Sequence, residues 1–487
     1  MSEHRSSSPW RWLIALLAVV ALVAAACGDS DEDSESGDTE TESGEESGDD
    51  EAEGDDTGDD AGSEDTGDDD TGEDTGDDGA SGELTASAVG VTADTITVGI
   101  SMLNFPEMVE TNLSAAGWGD QEGVWQALID DLNDRGGING RMIEPVYDFY
   151  HPVFAEDAAR SCTKLTEDQP VFAVLGGFVG PFAGTEDKCI VGQNATMLVG
   201  GELSPEELAE AQAPWYDVGT STARATEVLL DLLIDSGDAD GASVFVVTHQ
   251  ASQGGLEGVE AALDERDIER VESAVLDAND SDQAAQDGVM AVISERIRSS
   301  GANTVLIHGN PAGTIRGLIN SGLMGEIAVW ADDVDGLNNL GESIDRNQVV
   351  GVQTVLGQTD QEMYDDELMQ SECIDVVQAA LPDAEIVAPD DIGVDEENWF
   401  NSIRRYCRLL SMFEQIATAA GPELTYEAVA GVVDAGEFSD FAVPGTPKLS
   451  LAEDKPDGQA LFRLGEYSVD ESDGAATPSG ELDDVFP

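Results

Sequence analysis

The stretch Gly119-Asp-Gln-Glu-Gly-Val-Trp-Gln-Ala-Leu-Ile-Asp-Asp-Leu-Asn-Asp134, followed by Arg135-Gly-Gly-Ile-Asn-Gly140, decides the fold. Val124, Leu128, Ile129 and Leu132 recur at helical spacing, so one face of the segment seeks a core while its acids face water. The Gly-Gly pair then stops the helix, because glycine adopts the left-handed backbone that closes a last turn. Short β-rich runs flank it, Thr95–Ile100 before and Ile143–Tyr147 after. Strand, helix and strand in that order make a βαβ unit with parallel strands.

The same alternation continues outward. Ala155–Leu165 reads as a helix, Phe172–Leu175 as a strand running into Gly176-Gly177, and Ala195–Val199 as another strand. Beyond Trp215 and Tyr216, helices at about 221–236, 253–264, 283–299 and 311–321 alternate with strands at about 243–248, 270–275, 304–308 and 327–330. Two such arrays predict an α/β protein of two lobes, each a parallel sheet flanked by helices. Ligands of open α/β sheets sit beyond the carboxyl ends of the strands. Gly176–Phe182, Gly200–Leu203, His249–Ser252, His308–Asn310 and Ala331–Asp333 occupy those ends.

The N-terminus reads as a targeting segment. Arg5 and Arg11 precede an apolar run, Trp12–Ala26, that is short for a membrane span of about 20 residues. Ala24, Ala25 and Ala26 lead into Cys27 and Gly28, an arrangement that resembles the lipobox of bacterial lipoproteins. The resemblance implies a signal peptide over residues 1–26, cleavage before Cys27 and lipidation of its sulfur, with two acyl chains giving stable anchoring to a membrane. Residues 27–84 are almost wholly Gly, Ser, Thr, Asp and Glu in TGDD-like units. Such a segment cannot bury enough apolar surface to offset chain entropy, so a disordered, charge-extended spacer is expected.

Acidity extends beyond the spacer. The chain holds 103 acids against 20 Lys and Arg, with only Lys164, Lys188, Lys448 and Lys455 as lysines. That balance excludes nucleic acid as a partner, since phosphate affinity depends on Lys and Arg. It also fits life in salt, where self-repulsion is screened. After Cys27, the four cysteines allow three pairings, of which the sequence-local one is Cys162–Cys189 with Cys373–Cys407. Their spacing matches no zinc site. No GxSxG, HExxH, P-loop or GxGxxG opening a helix is present. Neither an enzyme, a cofactor nor a metal is therefore expected.

The run Gly117-Trp-Gly-Asp-Gln-Glu through Arg141, with Ala158–Leu165, Ala173–Gly177, Ser243–Ala262, Val305–Gly322 and the amphipathic Trp399–Gly421, resembles the leucine/isoleucine/valine-type (type I) periplasmic binding proteins over roughly residues 94–470. The resemblance implies two lobes joined by a three-stranded hinge that close around a ligand. It places an N-lobe over 94–218 and 355–440, a C-lobe over 219–354 and 441–470, and a flexible tail from 471 to 487. It implies an extracytoplasmic solute-binding protein, monomeric, that takes a small molecule of the amino-acid, amide or amine class and hands it to an ABC permease. A ligand-sensing receptor lipoprotein feeding a signalling partner would use the same closed state.

The ligand-binding positions carried over are Trp118 as an aromatic against the ligand, Phe178 and Gly180 in the carboxylate-holding loop, Glu202, Ser252, Asn310, and Asp333 as the acid for an ammonium. Gly180 and Leu203 lack the hydroxyls of the family pattern, so any carboxylate would rely on backbone N–H groups. Asp332 joins Glu202 and Asp333 as a candidate contact for a cation, amine or amide. Asn104–Ala116 reads as an insert able to cover the cleft.

Overall fold

A computed structural model describes residues 84–485, apart from 112, 181–182, 279–281, 342–343, 394–395 and 471–472. The signal segment, Cys27 and the spacer up to residue 83 lie outside the described residues. Among the described residues, no helix is long and apolar enough to cross a membrane.

The first lobe is built on a sheet of β1 (Thr95–Leu103), β2 (Met142–Tyr150), β3 (Ala173–Gly176), β4 (Met197–Gly200) and β5 (Trp215–Tyr216), in the order β2-β1-β3-β4-β5. All its pairings are parallel. Alternate residues of β1, Ile96, Val98, Ile100 and Met102, enter one core with the helices Gln121–Asp134 and Trp399–Ala419. Val174 and Leu198 of the neighbouring strands enter a second core on the opposite face with Cys162, Leu165 and Ile190. Both faces are thus covered, which is why these strands read as near-continuous apolar runs.

The second lobe holds β6 (Ser243–His249), β7 (Glu269–Leu276), β8 (Thr304–His308), β9 (Ala328–Ala331) and β10 (Gln353–Leu356) in parallel. Three further strands complete it, β11 and β12 being a separate hairpin at Phe441–Val443 and Thr446–Leu449. β13 (Leu461–Asp470) pairs antiparallel with β10, and β14 (Asp473–Pro478) with β13. β15 (Asp483–Asp484) pairs antiparallel with β13 off the main path. The sheet order is β14-β13-β10-β9-β8-β6-β7.

Three details differ from the expected boundaries. Strand β10 lies in the second sheet, so the return to the first lobe comes after residue 356. The hairpin at 441–449 belongs to the first lobe, because Val443, Leu449 and Leu451 pack in its core and Gln415 Nε2 donates to Ala442 O at 2.9 Å. The segment expected as a flexible tail forms β14, with Ala476 packed in the second core.

The chain crosses between lobes near residues 217–221, 357–359 and 456–461. Two crossings lie side by side: Gly458 N donates to Asp217 O at 2.7 Å and Gln459 N to Gly219 O at 3.0 Å. Asp457 ties them to the second lobe by accepting from Ser221 N at 2.6 Å and Arg224 Nε at 2.8 Å. Disulfides join Cys162 to Cys189 and Cys373 to Cys407.

Candidate functional site

The turn before the first-lobe helix sets one wall of the site. Asp120 caps that helix, accepting from Gly123 N at 3.0 Å. Gly119 has φ +71°, and a Cβ there would stand 2.3 Å from the Trp399 ring, so only glycine fits. The Trp118 carbonyl is held by Ser402 Oγ at 2.6 Å. Its ring, half-buried, lies 4.9 Å from that of Phe105. Phe105 comes from the expected insert, which contains the helix Phe105–Glu110.

The first-lobe floor is tied down by a buried acid that the sequence reading did not single out. Asp187 accepts from Phe178 N and from Glu202 N, each at 2.9 Å. Gly177 and Gly201 make room for it: a Cβ on Gly177 would come within 2.4 Å of the Gly201 Cα. Burial pushes the Asp187 carboxyl well above its ordinary range, against the pull of both amides and of the Arg405 charge. Val179 N is taken as well, donating to the Tyr150 hydroxyl at 2.9 Å. Of the loop expected to hold a ligand carboxylate, the Phe178 and Val179 amides are therefore occupied from within. The Phe178 ring is buried edge-on against Tyr150, with ring centroids 4.8 Å apart. Gly180 is exposed, with its backbone against Pro152 O.

Beside this floor is a small pocket lined by Trp118, Gln121, Tyr150, Val179, Arg405 and Tyr406. Arg405 projects from the helix Trp399–Ala419 and donates through Nη2 to Gly176 O at 2.7 Å, at the end of β3. Tyr406, next along the helix, stacks on Trp125 at 4.7 Å and donates to Gln121 Oε1 at 2.5 Å. Gln121 Nε2 in turn donates to Leu103 O at 2.7 Å.

The second-lobe floor uses the same device. Asp332 accepts from Gly309 N at 2.9 Å and Thr226 Oγ1 at 2.5 Å, and its Oδ2 lies 2.6 Å from His308 Nδ1. Burial opposes the charge on His308, but the neighbouring Asp332 outweighs it and leaves the imidazole above its ordinary value. Asp332 thus holds strand-end loops together. Asp333 caps the short helix Val334–Asn338, accepting from Gly336 N at 2.8 Å. Burial first, then Asp335, Asp332 and Glu202, push its carboxyl up to about 6. Asn310 accepts from Ala312 N at 3.1 Å, and Ser252 packs over Gly309.

The two floors face each other. Glu202 Oε1 of the first lobe accepts from Thr222 Oγ1 of the second at 2.5 Å, and a Cβ on Gly254 would lie 3.7 Å from Glu206 Oε2. Among the described residues no cluster of His, Cys, Asp and Glu is arranged to hold a metal.

Two α/β lobes, one on a parallel sheet and one on a mainly parallel sheet with an antiparallel edge, joined by three crossings with their strand-end loops opposed, define a hinged two-lobe binding protein. The chain belongs to the periplasmic binding protein family, whose model matches residues 114–371. That family is one of binding proteins rather than enzymes. Solved structures with the same fold include a solute-binding protein of an ABC transporter from R. palustris in complex with 4-hydroxybenzoate, at 12% identity and TM-score 0.51, covering 81% of this chain and 98% of the other. An ABC transporter substrate-binding protein from Desulfitobacterium hafniense in complex with Leu matches at 13% identity and TM-score 0.52, over 79% of this chain and 100% of the other. A leucine-, isoleucine-, valine-, threonine- and alanine-binding protein from Brucella ovis, in a closed conformation, matches at 12% identity and TM-score 0.52, over 81% and 97%. Comparison with curated proteins finds no match.

Proposed function

We propose that this chain is an extracytoplasmic solute-binding lipoprotein that captures a small polar molecule between its lobes and delivers it to an ABC importer. The observation that carries the reading is the Glu202–Thr222 hydrogen bond, which ties the loop after β4 of the first lobe to the first residue of the second-lobe helix Thr222–Ser236. It supports a hinge that closes over a site rather than two lobes that merely adjoin. The relatives solved with 4-hydroxybenzoate and with Leu are binding proteins of ABC transporters, which supports import as the destination. Cys27 as lipid anchor and the acidic segment to residue 84 as spacer would hold the domain at the outer face of the membrane, in reach of a permease. The ligand-facing set in this reading is Trp118, Glu202, Ser252, Asn310 and Asp333, while Phe178 and Gly180 shape the floor.

A thermal-shift screen of the mature chain in molar salt, against amino acids, amides, amines and small carboxylates, tests it. A ligand at 100 times its Kd stabilises by about 2.7 kcal/mol, enough for a visible shift. A hit accompanied by a smaller scattering radius supports the reading, and a broad panel with neither effect refutes it.

A further inference from the structure

We infer that Arg405 is the anion anchor of the ligand site and that the solute is a carboxylic acid, whose carboxylate enters the pocket lined by Trp118 and Tyr150. This deepens the solute-binding reading and rests on it.

The first ground is charge. With 103 acids to 20 bases, a cation in this chain has abundant internal partners. Arg135, Arg160, Arg224, Arg266, Arg296 and Arg463 each sit on a carboxylate. Among the described residues no carboxylate lies within ion-pair distance of Arg405, whose one hydrogen bond runs from Nη2 to the Gly176 carbonyl at 2.7 Å. A guanidinium offers five donors in a planar fork suited to carboxylate, so most of that capacity is uncommitted.

The second ground is the floor. The amides of Phe178 and Glu202, which open at the carboxyl ends of β3 and β4, already grip the buried Asp187. Those two amides are therefore not open to a ligand carboxylate. Such a carboxylate meets instead Arg405 and the Tyr150 hydroxyl, which accepts from Val179 N and retains its own proton to donate. Charged and neutral donors thus converge on one side of the pocket, with the Trp118 ring as its apolar wall. An amine or ammonium placed there would meet the guanidinium as a like charge.

The test is calorimetric titration of the mature full chain with leucine, phenylalanine and 4-hydroxybenzoate, each beside its carboxamide. At least one acid should bind at least tenfold more tightly than its amide. In Arg405→Gln that acid should weaken by roughly tenfold to a hundredfold, the range for a hydrogen bond to a charged group, and the acid-to-amide ratio should fall towards one. Arg405→Lys keeps the charge without the fork and should lie between. The ratio in the unaltered protein reads the inference even if a variant folds poorly. Amides that match their acids, or a ratio that survives Arg405→Gln, overturn the assignment. Closure on amines or on neutral solutes, with no acid bound, discards the anchor and leaves the solute-binding reading in place. No closure on any solute discards both.

Discussion

Glu202 and Thr222 join the two lobes beside the first crossing: the carboxylate of the first lobe accepts the hydroxyl of the second at 2.5 Å. The bond is exposed, so water competes for both groups and its net worth is small, about 1 kcal/mol. That suffices to bias a hinge. In Thr222→Val the unliganded molecule should spend more time open, with a larger scattering radius and ligand affinity lowered about fivefold. An unchanged radius in both Thr222→Val and Glu202→Gln would show that the lobes are held by other contacts.

Asp333 should make stability depend on pH. Its folded value of about 6 lies above the ordinary 3.8, with burial as the main cause. A raised carboxyl stabilises the fold at pH below the unfolded value, and the contribution is lost as pH rises through the folded one. Asp333→Asn retains an oxygen to cap Gly336 and removes the buried charge. The variant should gain on the order of 1–3 kcal/mol at pH 8, and little at pH 4. Denaturant titrations at the two pH values check this, and an equal effect at both would contradict it.

Trp118 and Phe178 should separate binding from stability. Phe178 is 1% exposed and packs on Tyr150, so Phe178→Ala should cost about 3–5 kcal/mol of stability. Trp118 is half-buried and its backbone, not its ring, is what Ser402 holds. Trp118→Ala should therefore weaken ligand at least tenfold with a small change in Tm. Calorimetry and melting on the same samples distinguish the two.

The disulfides close spans of 27 and 34 residues. Constraint of the unfolded chain over such loops is worth roughly 3–4 kcal/mol each. The double variant Cys373→Ser/Cys407→Ser should lose about that much in urea unfolding, and added reductant should then cost it less than it costs the parent chain.

Much of the frame was legible because parallel strands buried on both faces write themselves as short apolar runs, and helices between them as periodic ones. The stop after the first-lobe helix was legible too, since Gly136 and Gly137 adopt the left-handed backbone that residue type allows them. What escaped was long-range. Nothing local in Asp187 says that it will reach two strand-end amides, one nine residues earlier and the other fifteen later. Arg405 sits in an Arg-Arg pair within an amphipathic helix, where arginines are ordinarily solvated. Its meaning depends on no described carboxylate lying within ion-pair distance of it, and spacing does not reveal that. Residues 473–478 are small and polar, so their pairing with β13 left little apolar signature. Val443 and Leu449 were equally silent about which lobe they would join.

The threading of the chain through the hinge also sets when each half can be completed. The first lobe needs the helix Trp399–Ala419 and the hairpin at 441–449 to fill its core, although its sheet is made by residue 216. The second lobe needs β13 and β14 to extend its sheet beyond β10. Neither half has its full complement of partners until these later segments have been synthesised. Each sheet therefore waits, with one face or edge uncovered, for a segment far along the chain to return through the hinge.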